Sequence, residues 1–305
     1  MILAALGGLS GNARGALWMI GSGVGFTIYL TLAKLLSADA HPVFLAFFRA
    51  FLGLLFTLPL LYRNGLSSLK TRRFPLLFTR SLFGSLGFIL SLLAVSDFFT
   101  LPLSEFNALS FTRPLFVTLL AALVLGETVG PRRVAAIGAG FFGVLVMTAP
   151  GVVFFWMPGV GGEGPTLDLA GVLALGSALA FALSIILVKT LSRDHAPTTL
   201  LIWANLLSTL LLLGPALFYW SSPGLADWGL IFLMALAGLA AQYCFITAMS
   251  IGDASFLSAM DYLRLPMTAV ADWLLFNLLP GLFVWLGAAI IITSTLYITL
   301  RARRL

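Results

Sequence analysis

The feature that most constrains this chain is a succession of apolar runs, each about twenty residues long, separated by short connections that carry Pro or Gly. The runs fall at 15–36, 43–62, 74–96, 101–125, 132–152, 167–190, 198–220, 226–250, 254–278 and 281–300. A helix crossing a hydrocarbon core of about 30 Å needs roughly 20 such residues, so each run is long enough for one crossing. Only 9% of the 305 residues are charged, against about 25% in a soluble domain, too few to clothe a water-facing surface. The runs are far longer than the roughly ten alternating residues of a barrel strand. The expected fold is therefore all-α integral membrane, with ten transmembrane helices.

Lys and Arg are distributed unevenly between the connections. Arg14 precedes the first span, and Arg63, Lys70, Arg72 and Arg73 lie between the second and third. Arg132 and Arg133 follow the fourth, Arg193 the sixth, and Arg301, Arg303 and Arg304 come after the tenth. The connections of the other side carry almost none, Lys34 excepted. The positive-inside rule then places both termini in the cytoplasm, in a bacterial-type inner membrane. The net charge of +6 is spread over helix ends rather than gathered in a patch, which argues against nucleic acid as a partner. Residues 1–9 are apolar but short and follow no basic segment, so insertion is expected to start from the first span rather than from a cleaved signal. The single cysteine, Cys244, lies within an apolar run and excludes an intrachain disulfide.

Shifting the chain by 155 residues superposes Gly21-Ser22 on Gly176-Ser177, Phe26 on Phe181, Lys34 on Lys189, Ser37 on Ser192, Asp39 on Asp194 and Pro42 on Pro197. Further on the offset becomes 152, and Pro114 meets Pro266. The Gly- and Pro-rich connection 150–166, with Trp156 as an interfacial anchor, separates a first unit, 1–150, from a second, 151–305. Five spans is an odd number, so the two units are expected to be inverted five-helix repeats. That is the architecture of alternating-access carriers, with the site near mid-membrane between the halves.

Several segments resemble the EamA-type branch of the drug/metabolite transporter superfamily. The run Leu103-Ser104-Glu105-Phe106-Asn107-Ala108-Leu109-Ser110-Phe111, continuing through Pro114-Leu115-Phe116, is similar to that family's fourth helix. Leu125-Gly126-Glu127 matches its closing Gly-Glu, and Tyr262-Leu263-Arg264-Leu265-Pro266 with the Gly287 helix looks alike in the second half. The resemblance implies ten helices and proton- or gradient-driven movement of a small metabolite. Within the family the YddG-type amino-acid exporters are the nearest in kind. The chain departs from the pattern in having Asn277-Leu278 where the second Gly-Glu would stand, and Arg113 and Asp272 where small residues are usual.

Charge at mid-bilayer costs roughly 2.5–3.5 kcal/mol on the lenient insertion scale, so such residues pair, face a cavity or serve function. Here they are Arg49, Arg80, Glu105, Arg113, Asp261, Arg264 and Asp272: four positive and three negative. Asp261 and Arg264 share a helical face and can pair. Arg113, next to the helix-bending Pro114, either binds a substrate carboxylate bidentately or joins Asp261 or Glu105 in a salt bridge that locks the halves. Arg113 and the Asp261/Arg264 pair have no ionic counterparts in the other half. Lys34 and Lys189, at helix ends, are expected to snorkel to the interface, and Glu127 to pair with Arg132 and Arg133 at the surface. His41 and His195, beside loop prolines, are not read as proton relays.

Amides within spans need partners in hydrocarbon or a wet cavity. Asn107, Asn205, Gln242 and Tyr243 are therefore either cavity residues or links between packed helices, with Trp203, Tyr262, Arg113 and Arg264 added as substrate contacts. Gly21 and Gly25 make a small-xxx-small step suited to close helix packing. The residues present no catalytic constellation, no metal-ligand spacing and no cofactor motif, so no enzymatic activity is expected. The favoured function is export of aromatic or other apolar amino acids, by a monomer or homodimer in the lipid bilayer. A carrier of organic cations would instead want an unpaired carboxylate. One for nucleotide-linked or phosphorylated metabolites would want Arg49, Arg80 and Arg113 to converge. A lipid-modifying membrane enzyme is the reading from a different class.

Overall fold

The computed structural model describes residues 10–36, 40–65, 69–94, 109–154, 169–276 and 281–302, and every regular element among them is helical. The helices are α1 (Gly11–Leu36), α2 (Pro42–Asn64), α3 (Phe74–Ala94), α4 (Arg113–Leu125), α5 (Pro131–Thr148), α6 (Leu169–Leu191), α7 (Pro197–Phe218) and α8 (Leu225–Ile251). They continue with α9 (Ala254–Met260), a 3-10 turn (Asp261–Leu263), α10 (Arg264–Phe276) and α11 (Leu282–Ala302); a single turn, Pro150–Val153, follows α5. Among the described residues six helices, α1, α2, α3, α6, α7 and α8, contain a segment long and apolar enough to cross a membrane.

The helix ends follow local chemistry. α2, α5 and α7 open on Pro42, Pro131 and Pro197, where the missing N–H has no intrahelical acceptor to lose. The His41 ring caps α2 by accepting the Val43 N–H at 3.2 Å. α4 closes at Gly126, whose φ of 68° is the left-handed conformation that ends many helices and that a Cβ disfavours. The ninth expected span is broken: Asp261–Leu263 form a 3-10 turn between α9 and α10, so one apolar run makes two short helices. Pro114 likewise does not bend the middle of a helix. It stands in the first turn of α4, and the carbonyl that its ring leaves free belongs to the turn 109–112 before it.

α1 packs along α8, α3 along α6, and α5 along α11; α2 meets both α7 and α8, while α4 meets α6 and α9. Small residues permit the α1–α8 approach: a Cβ on Gly25 would stand 2.9 Å from that of Ala241, the close step expected of the Gly21/Gly25 pair. Val117, Ala121, Leu191, Met249, Phe256 and Leu257 knit α4, α6, α8 and α9 into the main core. Outward faces remain apolar, Leu119, Leu123, Leu210 and Leu274 among them, as lipid rather than water requires. The chain is a multi-pass membrane protein.

Candidate functional site

A cavity of about 390 Å³ lies among α1, α2, α3, α4, α6, α7, α8, the 3-10 turn and α10, within the roughly 300–1,000 Å³ usual for ligand pockets. Four arginines line it, Arg49 from α2, Arg80 from α3, Arg113 from α4 and Arg264 from α10, and Asp261 is the one carboxylate among its described lining residues. The formal charge of the described lining is thus four less one, +3. This exceeds the near balance expected from the sequence, because Asp261 alone of the three acids is seen to reach the cavity. Glu105 and Asn107 lie outside the described residues, as does the Asp272 side chain, so their expected roles carry no structural counterpart here.

The break at Asp261 is what positions the charges. Arg113 Nη2 donates to Asp261 Oδ2 across the two halves of the chain, and Arg264 Nη1 donates to Asp261 Oδ1 at 3.0 Å. Asp261 therefore takes both partners weighed for it: Arg264 on its own face and Arg113 from the opposite half. Each guanidinium also lies over a phenylalanine contributed by the other half. Arg264 is 4.2 Å from the Phe26 ring centre and Arg113 is 5.8 Å from that of Phe181, within cation–π range. Phe26 and Phe181 are one of the pairs matched at the 155-residue offset. The two arginines thus occupy corresponding settings although their own positions do not superpose at that offset.

On the adjoining wall Arg49 Nη2 donates to Gln242 Oε1 at 2.6 Å and its guanidinium lies 5.7 Å from the Tyr29 ring centre. Gly238 makes room for this: a Cβ there would stand 3.1 Å from Arg49 Nε and 3.2 Å from the Tyr29 ring. Arg80 has its carbonyl engaged by the Ser184 hydroxyl at 2.9 Å and is itself one of the lining residues. Ser81, Ser85, Ser184 and Ser208 add hydroxyls, and Phe26, Tyr29, Phe88, Phe181 and Phe245 add aromatic surface.

The other expected site residues lie elsewhere. Trp203 donates to the Leu69 carbonyl at 3.2 Å and packs on Phe74. Asn205 is buried against Gly53, Tyr243 packs edge-on to Trp18, and Tyr262 is buried against Gly140 and Phe111. None of the four lines the cavity. Depth in the membrane is readable from sequence; the direction in which a side chain leaves its helix is set by partners far along the chain. The aromatic residues that do line it were passed over because a phenylalanine in an apolar span is equally at home in lipid. The match of Phe26 with Phe181 was the one signal for them.

Two helix-end expectations are corrected. Lys189 turns inward rather than snorkelling, donating to the carbonyls of Met249 at 2.9 Å and Gly252 at 2.6 Å, which α8 leaves open at its C-terminus. Glu127 does not pair with Arg132 and Arg133. It accepts from the Ala254 and Ser255 N–H groups at 2.8 and 3.1 Å and from the Ser255 hydroxyl at 2.7 Å, where the α9 N-terminus favours an anion. Arg133 pairs instead with Asp253 at 3.0 Å. Lys34 belongs to α1, and its side chain lies outside the described residues.

Among the described residues, a helical membrane bundle encloses a cavity lined by arginine, hydroxyl and aromatic side chains. The chain belongs to the EamA-like transporter family, whose model matches residues 13–149 and again 169–300. It is 34% identical to a riboflavin transporter of Rhizobium johnstonii, over 93% of this chain and 90% of that protein. It is 32% identical to a riboflavin transporter of Vibrio cholerae, over 94% and 93%. With an S-adenosylmethionine uptake transporter of Rickettsia prowazekii it shares 29% identity, over 93% and 92%. A crystal structure with 20% sequence identity superposes at a TM-score of 0.75, covering 93% of this chain and 98% of the other, and has the same fold. The family expectation stands; the narrower one, a YddG-type amino-acid exporter, finds no support in these relatives.

Proposed function

We propose that this protein carries a flavin, riboflavin itself or a close derivative, by alternating access between two inverted five-helix repeats, 1–150 and 151–305, with both termini cytoplasmic. The observation that carries the substrate class is the excess of guanidinium in an aromatic cavity: four arginines to one carboxylate among the described lining residues. S-adenosylmethionine bears a sulfonium cation, which such a cavity repels. The isoalloxazine ring of riboflavin is flat, uncharged and rich in carbonyl acceptors. It suits arginine and Gln242 donors at its edge, and phenylalanine rings such as Phe26 and Phe181 at its faces.

The repeat reading is supported by the packing. Exchanging the halves turns the α1–α8 contact into α6–α3 and leaves α2–α7 and α5–α11 unchanged, and all of these contacts are present. Gly84 beside Ser184 and Gly238 beside Tyr29 form equivalent pairs at nearly the repeat offset. Alternating access also needs one end closed, and the contacts of Glu127, Arg133, Lys189 and Asn12 with the α8–α9 junction supply that closure on the side assigned to the cytoplasm.

The test is uptake into proteoliposomes of labelled riboflavin and, separately, S-adenosylmethionine, with and without an imposed proton gradient. Saturable riboflavin uptake, not inhibited by S-adenosylmethionine, is the expected result. Saturable S-adenosylmethionine uptake with no flavin flux overturns the assignment, and acceleration by the gradient decides proton coupling.

A further inference from the structure

Two of the four arginines remain once Asp261 is accounted for. That carboxylate is taken by Arg113 and Arg264. Arg49 and Arg80 meet no carboxylate among the described residues; the hydrogen-bond partner seen for the Arg49 guanidinium is the uncharged Gln242. The Nε of each is buried without a hydrogen-bond partner, and so is the Ser81 hydroxyl beside Arg80. All three residues line the same cavity. Two like charges lining one cavity away from water are costly unless compensated. A helix bundle that keeps them beside a substrate-sized space is built for a partner that arrives with the ligand.

We propose that Arg49, Arg80 and Ser81 form an anion subsite of the phosphate class within the transport cavity. The charge count favours phosphate over carboxylate. A phosphate monoester carries about −1.5 to −2 at pH 7 and balances two guanidiniums, whereas a carboxylate leaves one unmatched. Guanidinium forks meet phosphate oxygens two at a time, and the Ser81 hydroxyl adds a neutral donor. The phosphoryl group has two possible sources: the 5′-phosphate of a flavin, making the monoester the preferred cargo, or free inorganic phosphate bound beside an uncharged flavin. The choice of flavin as probe rests on the function proposed above; the subsite itself does not.

The experiment titrates the purified, lipid-reconstituted protein with riboflavin and with its 5′-phosphate monoester, following flavin fluorescence, in the absence and presence of inorganic phosphate. A thermal-unfolding series with inorganic phosphate alone accompanies it. The first source predicts that the monoester binds at least about tenfold more tightly than riboflavin, that millimolar phosphate competes with it, and that this preference collapses in Arg80→Gln and in Arg49→Gln. The second predicts that riboflavin binds more tightly when phosphate is added. Either result supports the subsite, and both are read on the wild-type protein, so misfolding of a variant does not obscure them. Riboflavin binding with no preference for the monoester and no response to phosphate overturns the subsite and leaves the flavin reading intact. Phosphate stabilisation without binding of either flavin supports the subsite and overturns the flavin reading. No response to any of the three overturns both.

Discussion

Asp253 and Asp261 stand at the two ends of α9, and arginine meets both, yet their surroundings differ in kind. Asp253 is 43% exposed in its side chain. It pairs with Arg133, accepts the Asn12 amide at 3.1 Å, and gives its own N–H to Asn12 Oδ1 at 2.8 Å. Beside it Glu127 takes three donors of Ala254 and Ser255, and Lys189 takes two carbonyls of α8 and its cap. Each of its charged groups has partners among the described residues, and the cluster ties α1, the α4–α5 connection, α5 and α6 to the α8–α9 junction. Asp261, only 7% exposed, is shared by two arginines, and two more arginines face the same cavity. The first cluster is complete in itself and fastens helices. The second leaves cation and donor capacity over, which is the condition for binding something else. Clusters of charged residues in a membrane protein thus have opposite meanings, according to whether their valences are filled from within.

Removing the charge of Asp261 separates the two clusters most strongly. In Asp261→Asn the Arg113 and Arg264 guanidiniums lose their common counter-ion, and breaking a buried pair from one side costs about 3–5 kcal/mol. Substrate flux is expected to fall at least about a hundredfold, with the folded protein melting measurably lower, because each 1.4 kcal/mol is worth about a factor of ten. Initial uptake rates in proteoliposomes and a thermal unfolding curve check both parts. Transport at the wild-type rate would mean that the cavity charges are not organised by Asp261.

Glu127→Gln tests the other side. The carboxylate accepts three hydrogen bonds and faces the positive end of α9, and the neutral amide keeps the shape while losing the charge assistance. A loss of about 1–3 kcal/mol in stability is expected, with flavin affinity within about threefold of wild type, since Glu127 does not line the cavity. Equilibrium binding and unfolding measured on one preparation distinguish the two effects. A collapse of affinity with no change in stability would make the helix-end cluster part of the binding site.

How much of this was legible in the residues follows from the same physics. Hydropathy and Pro or Gly breakers place the helices, because a backbone in lipid has to satisfy its hydrogen bonds internally. Charge in a span marks Arg49, Arg80, Arg113, Asp261 and Arg264, since it is tolerated there only with a partner or a cavity. The break at Asp261–Leu263 was not read from the residues: the run 254–278 is long enough for one span despite Asp261, Arg264 and Pro266, and the turn packs against α1, α5 and α11. Trp203, Asn205, Tyr243 and Tyr262 were expected at the site and are packed elsewhere, because an amide or an indole is satisfied as well by a neighbouring helix as by a ligand. Lys189 and Glu127 looked like interface residues because the backbone groups that they satisfy lie about 60 and 127 residues away. No periodicity within a helix records such a partner.

The smallest effect is expected where an ion pair belongs to neither cluster. Arg73 and Asp194 approach to 2.9 Å, with side chains 45% and 44% exposed. Water and salt screen such a pair, and two long side chains lose freedom in making it, so it contributes about 0–1 kcal/mol. Arg73→Ala is therefore expected to leave uptake rate and flavin affinity unchanged and to shift the unfolding midpoint only slightly, the shift vanishing at high salt. The position carries one further contribution, because the basic residues between α2 and α3 also bias topology, and Lys70 and Arg72 remain to hold that bias. A large loss of transport in Arg73→Ala with normal expression would show that an exposed pair can govern the carrier. Burial and unfilled hydrogen-bonding capacity would then no longer separate the charges that bind substrate from those that merely hold helices together.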